Sequence, residues 1–395
     1  MGWCQGLTMT SAPQIYLIAG EASGDQLGAW LMEAMRRVRP ELRFTGIGGS
    51  AMRAVSGFET FFPSEEIALI GFAEIIPHIF RLKRRIREAV RDIETKQPEL
   101  VVTIDAPGFC FRVVRMLKAR SHVPHTRFVH DVAPTVWAYR PERAEEIAPL
   151  FSHLLALYPC EPPYFTRAGL PATFTGHPFA WWWREKGDGA SFRRAYGLKP
   201  EGRILALFPG SRMGELNYHL PVYRDTVAAL AARIPDLELV MLGREEHREY
   251  LVKTMKDWAL PVHLIQAEDK RGMFAAATAA LAKSGTVSLE CALAGLPAVT
   301  AYRAHPLTAW YVRRKVKIPY ANMANILMQR FVVPEFIQED FTTENLTTAL
   351  TPLLTDDKAR KAQLQALTEI ATMLGANDAT SPSDKAAAIL LSMLP

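Results

Sequence analysis

At 395 residues the chain exceeds a single compact core, so two domains of ordinary size are expected. Hydrophobic residues at 49% against 22% charged are the proportions of a soluble globular protein, and a net charge of +5 (46 basic against 41 acidic) favours anionic partners without naming one. Cys4, Cys110, Cys160 and Cys291 show no CxxC and no ligand spacing, which argues against a zinc site or a disulfide framework and fits a reducing cytosol.

Residues 1–12 read as a loose leader without the apolar core of a signal peptide, and Gly6 stands where a myristoylation signal needs Ser or Thr. No apolar run reaches the roughly 18 residues of a spanning helix, so a cytoplasmic location is expected. Short apolar runs then alternate with helical patterns: 15–19, 43–48, 100–104, 127–130 and 154–158, followed by 204–208, 237–242 and 261–265. This alternation predicts βα units and parallel sheets. Between the two series lies 177–203, turn-rich and without a clean period, where the domain boundary is placed. The expected divisions are 13–180, 200–340 and a helical tail over 341–395.

In open α/β sheets ligands lie beyond the carboxyl ends of the strands, so the residues after each run carry the functional signal. They are "GEASGDQLG" (20–28), "GIGGSAM" (46–52), "DAPGF" (105–109), "HDVAPTVWAYRPER" (130–143) and "PGSRMGE" (209–215). Each is open to a plain reading as turn chemistry. The stretch Met273–Ala282 ends in an apolar run read as a buried strand, and "KSGTVSLECALAGLP" (283–297) continues it with a tight turn and a helix. Ser284, Gly285 and Thr286 suit a helix start with free backbone donors for an anion, and Glu290 one turn on suits ribose hydroxyls. The alternative is an exposed glutamate on a surface helix.

Taken in order, "AGEASGD", "GIGG", "GFAEI", "IDAPGF", "VWAYRPERA", "FTGHP", "FPGSRMGE", "KSGTVSLE" and "YANMANIL" resemble the lipid-A-disaccharide synthase family from residue 19 to about 327. The resemblance implies a GT-B-like α/β fold, two Rossmann-like domains with parallel sheets facing across a cleft, and a helical C-terminal tail. It implies an inverting hexosyl transfer from UDP-2,3-diacylglucosamine to the 6-hydroxyl of 2,3-diacylglucosamine 1-phosphate, giving a β-1,6 disaccharide and UDP. Trp181 to Trp183 and the loop after them match nothing in the family pattern.

On this reading Asp105 is the candidate base, its alternative being a turn-forming Asp. Arg212 in "PGSR" is the candidate for leaving-group charge, with Gly210 and Ser211 beside it and Glu215 either holding it or capping the helix. Glu290 would hold the ribose, with Ser284, Gly285 and Thr286 at the phosphates, and Asn325 a polar position near the donor. Glu21, Ser23, Gly24 and Asp25 are expected at the acceptor side or cleft, with His177 at the crossover, where packing is the plain alternative, and His130 and Asp131 read alike. No cofactor and no metal is expected, and the chemistry should survive EDTA. A UDP-N-acetylglucosamine 2-epimerase is the alternative within the same fold.

"IALIGFAEIIPHIFRLKRRIREAVR" (67–91) joins an apolar stretch to a basic one. Ile75, Ile76 and Ile79 with Arg81, Arg84 and Arg85 are expected to attach the protein peripherally to the cytoplasmic leaflet of the inner membrane. A homodimer exchanging C-terminal parts is a further implied partner arrangement. A nucleic-acid partner is not expected, because "FRLKRRIREAVR" lacks interleaved aromatics, and "GEASGD" is not the GxGxxG of a nicotinamide enzyme.

Overall fold

The structure, a computed structural model, describes residues 12–68, 75–304, 309–310, 314 and 318–395; the side chains of 68, 75–79 and 139 lie outside that description. The chain divides into two compact units, Met1–Pro178 with Ala379–Pro395, and Phe179–Asp378.

The first unit is built on seven parallel strands: β1 (Gln14–Ala19), β2 (Arg43–Gly48), β3 (Phe58–Pro63), β4 (Leu100–Ile104), β5 (Arg127–Asp131), β6 (His153–Ala156) and β7 (Ala172–Phe174). Their order is β3-β2-β1-β4-β5-β6-β7. The runs "IYLIA" and "LVVTI" are apolar throughout because both faces of a parallel sheet are covered, and every residue of both is buried. The strand order reverses between β1 and β4, which opens a crevice at their carboxyl ends. Gly20 after β1 makes that closeness possible: a Cβ on it would lie 2.3 Å from the Cβ of Ala106, which follows β4.

The helix Ile75–Lys96 buries Ile86, Ala89, Val90 and Ile93 in this core. The closing helix Pro382–Leu391 packs on the helix Ala22–Val38, where Asp384 pairs with Arg37 at 2.5 Å.

The second unit carries β8 (Arg203–Phe208), β9 (Leu237–Leu242), β10 (Val262–Ile265), β11 (Ala279–Lys283), β12 (Ala298–Tyr302) and β13 (Glu335–Ile337), all parallel, in the order β10-β9-β8-β11-β12-β13. Its reversal lies between β8 and β11, so the turns Pro209–Arg212 and Ser284–Thr286 stand side by side. The helices Thr343–Thr355 and Asp357–Met373 pack within this unit. The doubly wound class and the helical end of the chain agree with expectation. The strand expected at the end of the stretch Met273–Ala282 is β11, which begins at Ala279, and Lys270–Ala276 before it is helical. Strands β3, β7, β12 and β13 were not expected; three of them are sheet edges, short and mixed in composition.

The tryptophan cluster belongs to the second unit. The Arg271 guanidinium lies over the Trp182 ring at 3.8 Å and donates to the Trp182 carbonyl, while Trp183 is buried against Phe274 with centroids 4.6 Å apart. Phe274 in turn packs on Phe208 at the end of β8.

Candidate functional site

In the second unit a pocket of about 790 Å³ opens at the carboxyl ends of β8, β9, β10 and β11, a volume suited to a nucleotide-sized ligand. Gly210, Ser211, Gly285, Thr286 and Glu290 line it together with Gln266, Lys270 and Lys283. Gly210 has φ +124°, and a Cβ there would lie 2.5 Å from Glu215 Oε2, so only glycine serves. The buried Glu215 carboxylate accepts from Ser211 N–H at 3.0 Å and pairs with Lys283 at 3.0 Å. Burial pushes its pKa up, but Lys283, the Ser211 amide and Arg212 outweigh that and hold it below the ordinary carboxylate range. Arg212 is the N-cap of the helix Met213–Ala231, exposed, with Nη1 3.9 Å from Glu215; it stands beside the pocket rather than among its lining residues.

Glu290 is buried on the helix Thr286–Ala294 and forms an ion pair with Lys270. This removes the surface-helix alternative. Lys270 carries the charge that makes burial of Glu290 tolerable, since a buried carboxylate needs a partner.

Two expectations for this pocket need correction. Ser284 N–H donates to Ala301 carbonyl at 3.0 Å and its hydroxyl to Ala321 carbonyl at 3.1 Å, so this residue is spent on extending the sheet. Asn325 is fully buried: its amide donates to Val333 carbonyl and its oxygen accepts from Val332 and Val333 N–H, at 2.8, 2.8 and 2.9 Å. That side chain pins the turn before β13 and has no capacity for a ligand.

In the first unit the reversal point gathers Glu21, exposed after β1, and Asp105, half-buried after β4. Asp105 and Ala106 both have left-handed backbone, φ +53° and +44°, uncommon for non-glycine residues and often found at functional turns. Burial, then the neighbouring Glu21 charge, raise the Asp105 pKa, which makes its carboxylate a stronger base. Asp105 N–H donates to Asp131 carbonyl at 3.0 Å.

Buried Asp131 at the end of β5 is pushed up to about 7, mainly by burial. His130 beside it faces Thr103 Oγ1 at 2.8 Å and is depressed to about 3 by burial, a packing histidine rather than a proton carrier. His177 is buried with its ring 5.7 Å from that of Tyr158, and burial lowers it to about 4.

Asp25 is a correction as well. Its carboxylate accepts from Gly49, Ala51 and Met52 N–H at 2.7, 2.8 and 3.1 Å, capping the short helix Ser50–Ala54 and fixing the "GIGG" turn. Gly24 is buried, a Cβ on it falling 3.4 Å from the Ile104 carbonyl oxygen, so it serves helix-to-strand packing; Ser23 is half-buried at the helix start.

Glu161 was missed by sequence reading. It lies fully buried after β6, accepts from Tyr158 N–H at 3.1 Å and faces Trp137 Nε1 at 3.5 Å, and burial lifts it to about 8. Its position five residues past the end of a strand was the available signal. Lys270 had no such signal, because only folding sets it against Glu290.

Of the basic stretch, Arg85 is not available to a headgroup. Its guanidinium pairs with Glu66 and Glu88, at 2.5 and 2.7 Å, and stacks 4.6 Å from the Phe62 centroid. Arg84 is exposed and 3.5 Å from Glu88, Arg81 is half-buried, and Phe80 is 81% exposed. Ile75, Ile76 and Ile79 lie outside the described side chains. No helix among the described residues is long and apolar enough to cross a membrane.

A family model described as lipid-A-disaccharide synthetase matches residues 15–389. A lipid-A-disaccharide synthase of Rhodospirillum centenum is 43% identical over 383 residues, covering 96% of this chain and 94% of that one. One of Granulibacter bethesdensis is 38% identical over 395 residues, covering 97% and 99%. Among solved structures, a UDP-GlcNAc 2-epimerase from Neisseria meningitidis bound to UDP-GlcNAc superposes with TM-score 0.64 at 10% identity, over 96% of this chain and 98% of that one. A glycotransferase of kitacinnamycin gives 0.60 at 17%, over 98% and 100%. The two structural likenesses speak to the fold alone, whereas the family match spans both units and every strand-end turn described above. The chain belongs to the lipid-A-disaccharide synthase family and is a hexosyl-transferring glycosyltransferase.

Proposed function

We propose that the protein transfers a 2,3-diacylglucosamine unit from its UDP donor to the 6-hydroxyl of 2,3-diacylglucosamine 1-phosphate. The observation that carries this reading is the second-unit pocket, where two glycine-bearing turns, Lys283 and the Glu290 carboxylate converge on one nucleotide-sized space. Glu290 takes the ribose hydroxyls. The turns at Gly210–Ser211 and Gly285–Thr286, with Lys283 and Arg212, meet the diphosphate.

Asp105 accepts the proton of the 6-hydroxyl as its oxygen attacks the anomeric carbon. The bond to the diphosphate breaks, its electron pair leaves with UDP, and the configuration inverts. The raised basicity and the left-handed turn of Asp105 support this role.

Incubating the protein with both acylated sugars, with and without EDTA, and weighing the products tests the reaction. A disaccharide 1-phosphate formed equally in both arms is expected; UDP release without an acylated acceptor points instead to the epimerase class. Peripheral attachment to a membrane leaflet is part of the same proposal, supported by exposed Phe80 beside Lys83, Arg84 and Arg87. Serine at Ile75, Ile76 and Ile79 should release the protein from anionic vesicles, and unchanged partitioning removes that part. A homodimer is proposed with it, to be tested by light scattering.

A further inference from the structure

Sequence reading passed over His219. It lies on the helix Met213–Ala231, fully buried against Tyr223, Tyr302 and Phe341. Its Nδ1 is 2.5 Å from the Pro209 carbonyl oxygen, and its Nε2 is 3.2 Å from Arg303 N. A carbonyl oxygen only accepts and a backbone N–H only donates. The neutral ring with its proton on Nδ1 therefore satisfies both partners, and the charged ring does not. Burial lowers the basicity of His219, in keeping with that neutral form.

The Pro209 carbonyl belongs to the peptide that ends at Gly210 N–H. A trans peptide is planar and carries its C=O and N–H on opposite edges. Holding Pro209 O on His219 thus turns Gly210 N–H to the other side of the turn. Gly210 itself cannot set this plane, because a residue without Cβ at φ +124° has little steric preference. The next amide, Ser211 N–H, is spent on Glu215.

We propose that His219 is a positioning residue for the nucleotide diphosphate: it orients the Pro209–Gly210 peptide so that Gly210 N–H donates to a phosphate oxygen. The proposal rests on the reading of the second-unit pocket as the UDP site.

The test uses the full chain, with UDP and uridine binding measured by calorimetry and folding by thermal melts. In His219→Asn the side-chain amide nitrogen falls where Nδ1 stands, keeping the Pro209 bond and giving up Arg303. In His219→Gln the amide reaches the Nε2 position, keeping Arg303 and giving up Pro209. The Gln variant should lose about ten-fold or more in UDP affinity while the Asn variant stays within about three-fold, as expected for one hydrogen bond to a charged group. Uridine, which has no diphosphate, should bind both variants like the unmutated protein.

Equal UDP affinities of the two variants, or losses shared by uridine, overturn the proposal. Should neither variant fold, the Gly210 amide resonance of the ¹⁵N-glycine-labelled unmutated protein decides: it should move downfield as UDP saturates, and a stationary resonance overturns the assignment. Glu290→Gln serves as the control. If it leaves UDP affinity unchanged, the pocket reading itself fails; if it weakens UDP while both folded His219 variants bind normally, only the role of His219 fails.

Discussion

At the carboxyl ends of the first sheet, Asp105, Asp131 and Glu161 sit in buried or half-buried positions, and no cation contributes to the rise in any of their pKa values. At the same ends of the second sheet, Glu215 faces Lys283 and Glu290 faces Lys270. Both sheets are doubly wound with a reversal point, so backbone architecture does not account for the contrast. It lies in the partners. Burial without a cation favours the protonated form of a carboxylate, so Asp131 is pushed up to about 7 and Glu161 to about 8. Glu215, matched to Lys283, is held below the ordinary carboxylate range. On the proposed reading the first unit supplies the base and the second holds the anion.

The strongest blow to that comparison is Asp105→Asn. It should lower kcat by about 10²- to 10⁴-fold, the range for a general base, while UDP affinity measured by calorimetry stays as it was. Near-normal turnover would leave the first unit without its chemistry. Glu290→Gln should raise the donor KM by about ten-fold with a smaller fall in kcat, because it removes ground-state binding rather than reaction. Equal effects on both constants would blur the division between the units.

Asp25→Ala sharpens it within the first unit, by separating a carboxylate that builds a turn from one that moves a proton. Loss of three amide partners should cost about 1–3 kcal/mol in a denaturant melt with UDP affinity unchanged. A reduced UDP affinity would return Asp25 to the binding machinery.

The smallest effect concerns pH. Glu161 holds its proton to about pH 8 when folded and to about 4.5 in the ordinary state. Between those values the folded protein binds the additional proton, so stability is full below 4.5 and falls as pH rises through 8. Glu161→Gln should therefore flatten the decline of Tm over that window, leaving the contribution of Asp131, which ends near pH 7. An unaltered slope would show that Glu161 is charged in the folded state.

Much of this was legible in the chain. The five apolar runs of the first series and the three of the second became strands because their aliphatic, aromatic and β-branched residues are satisfied between two covering layers. The glycine-rich turns after them stand at the strand ends for the same reason. What failed were assignments of single polar residues made without their partners. Asn325 and Asp25 looked like ligand-binding residues, yet each spends its polar side chain on three backbone hydrogen bonds. Arg85 looked like a headgroup contact, but Glu66, nineteen residues earlier, claims its guanidinium.

By itself, then, the order of residues determined the two parallel sheets and the residue types waiting at their strand ends, because hydrophobic period and turn chemistry are local properties. Tertiary structure alone decided the strand order and the charge partners: Lys270 against Glu290, Lys283 against Glu215, His219 under Pro209, and Asp105, Asp131 and Glu161 with no cation among the causes of their raised pKa values. A pKa or a hydrogen bond depends on which groups lie within a few ångströms, and that proximity is fixed only when distant segments pack together.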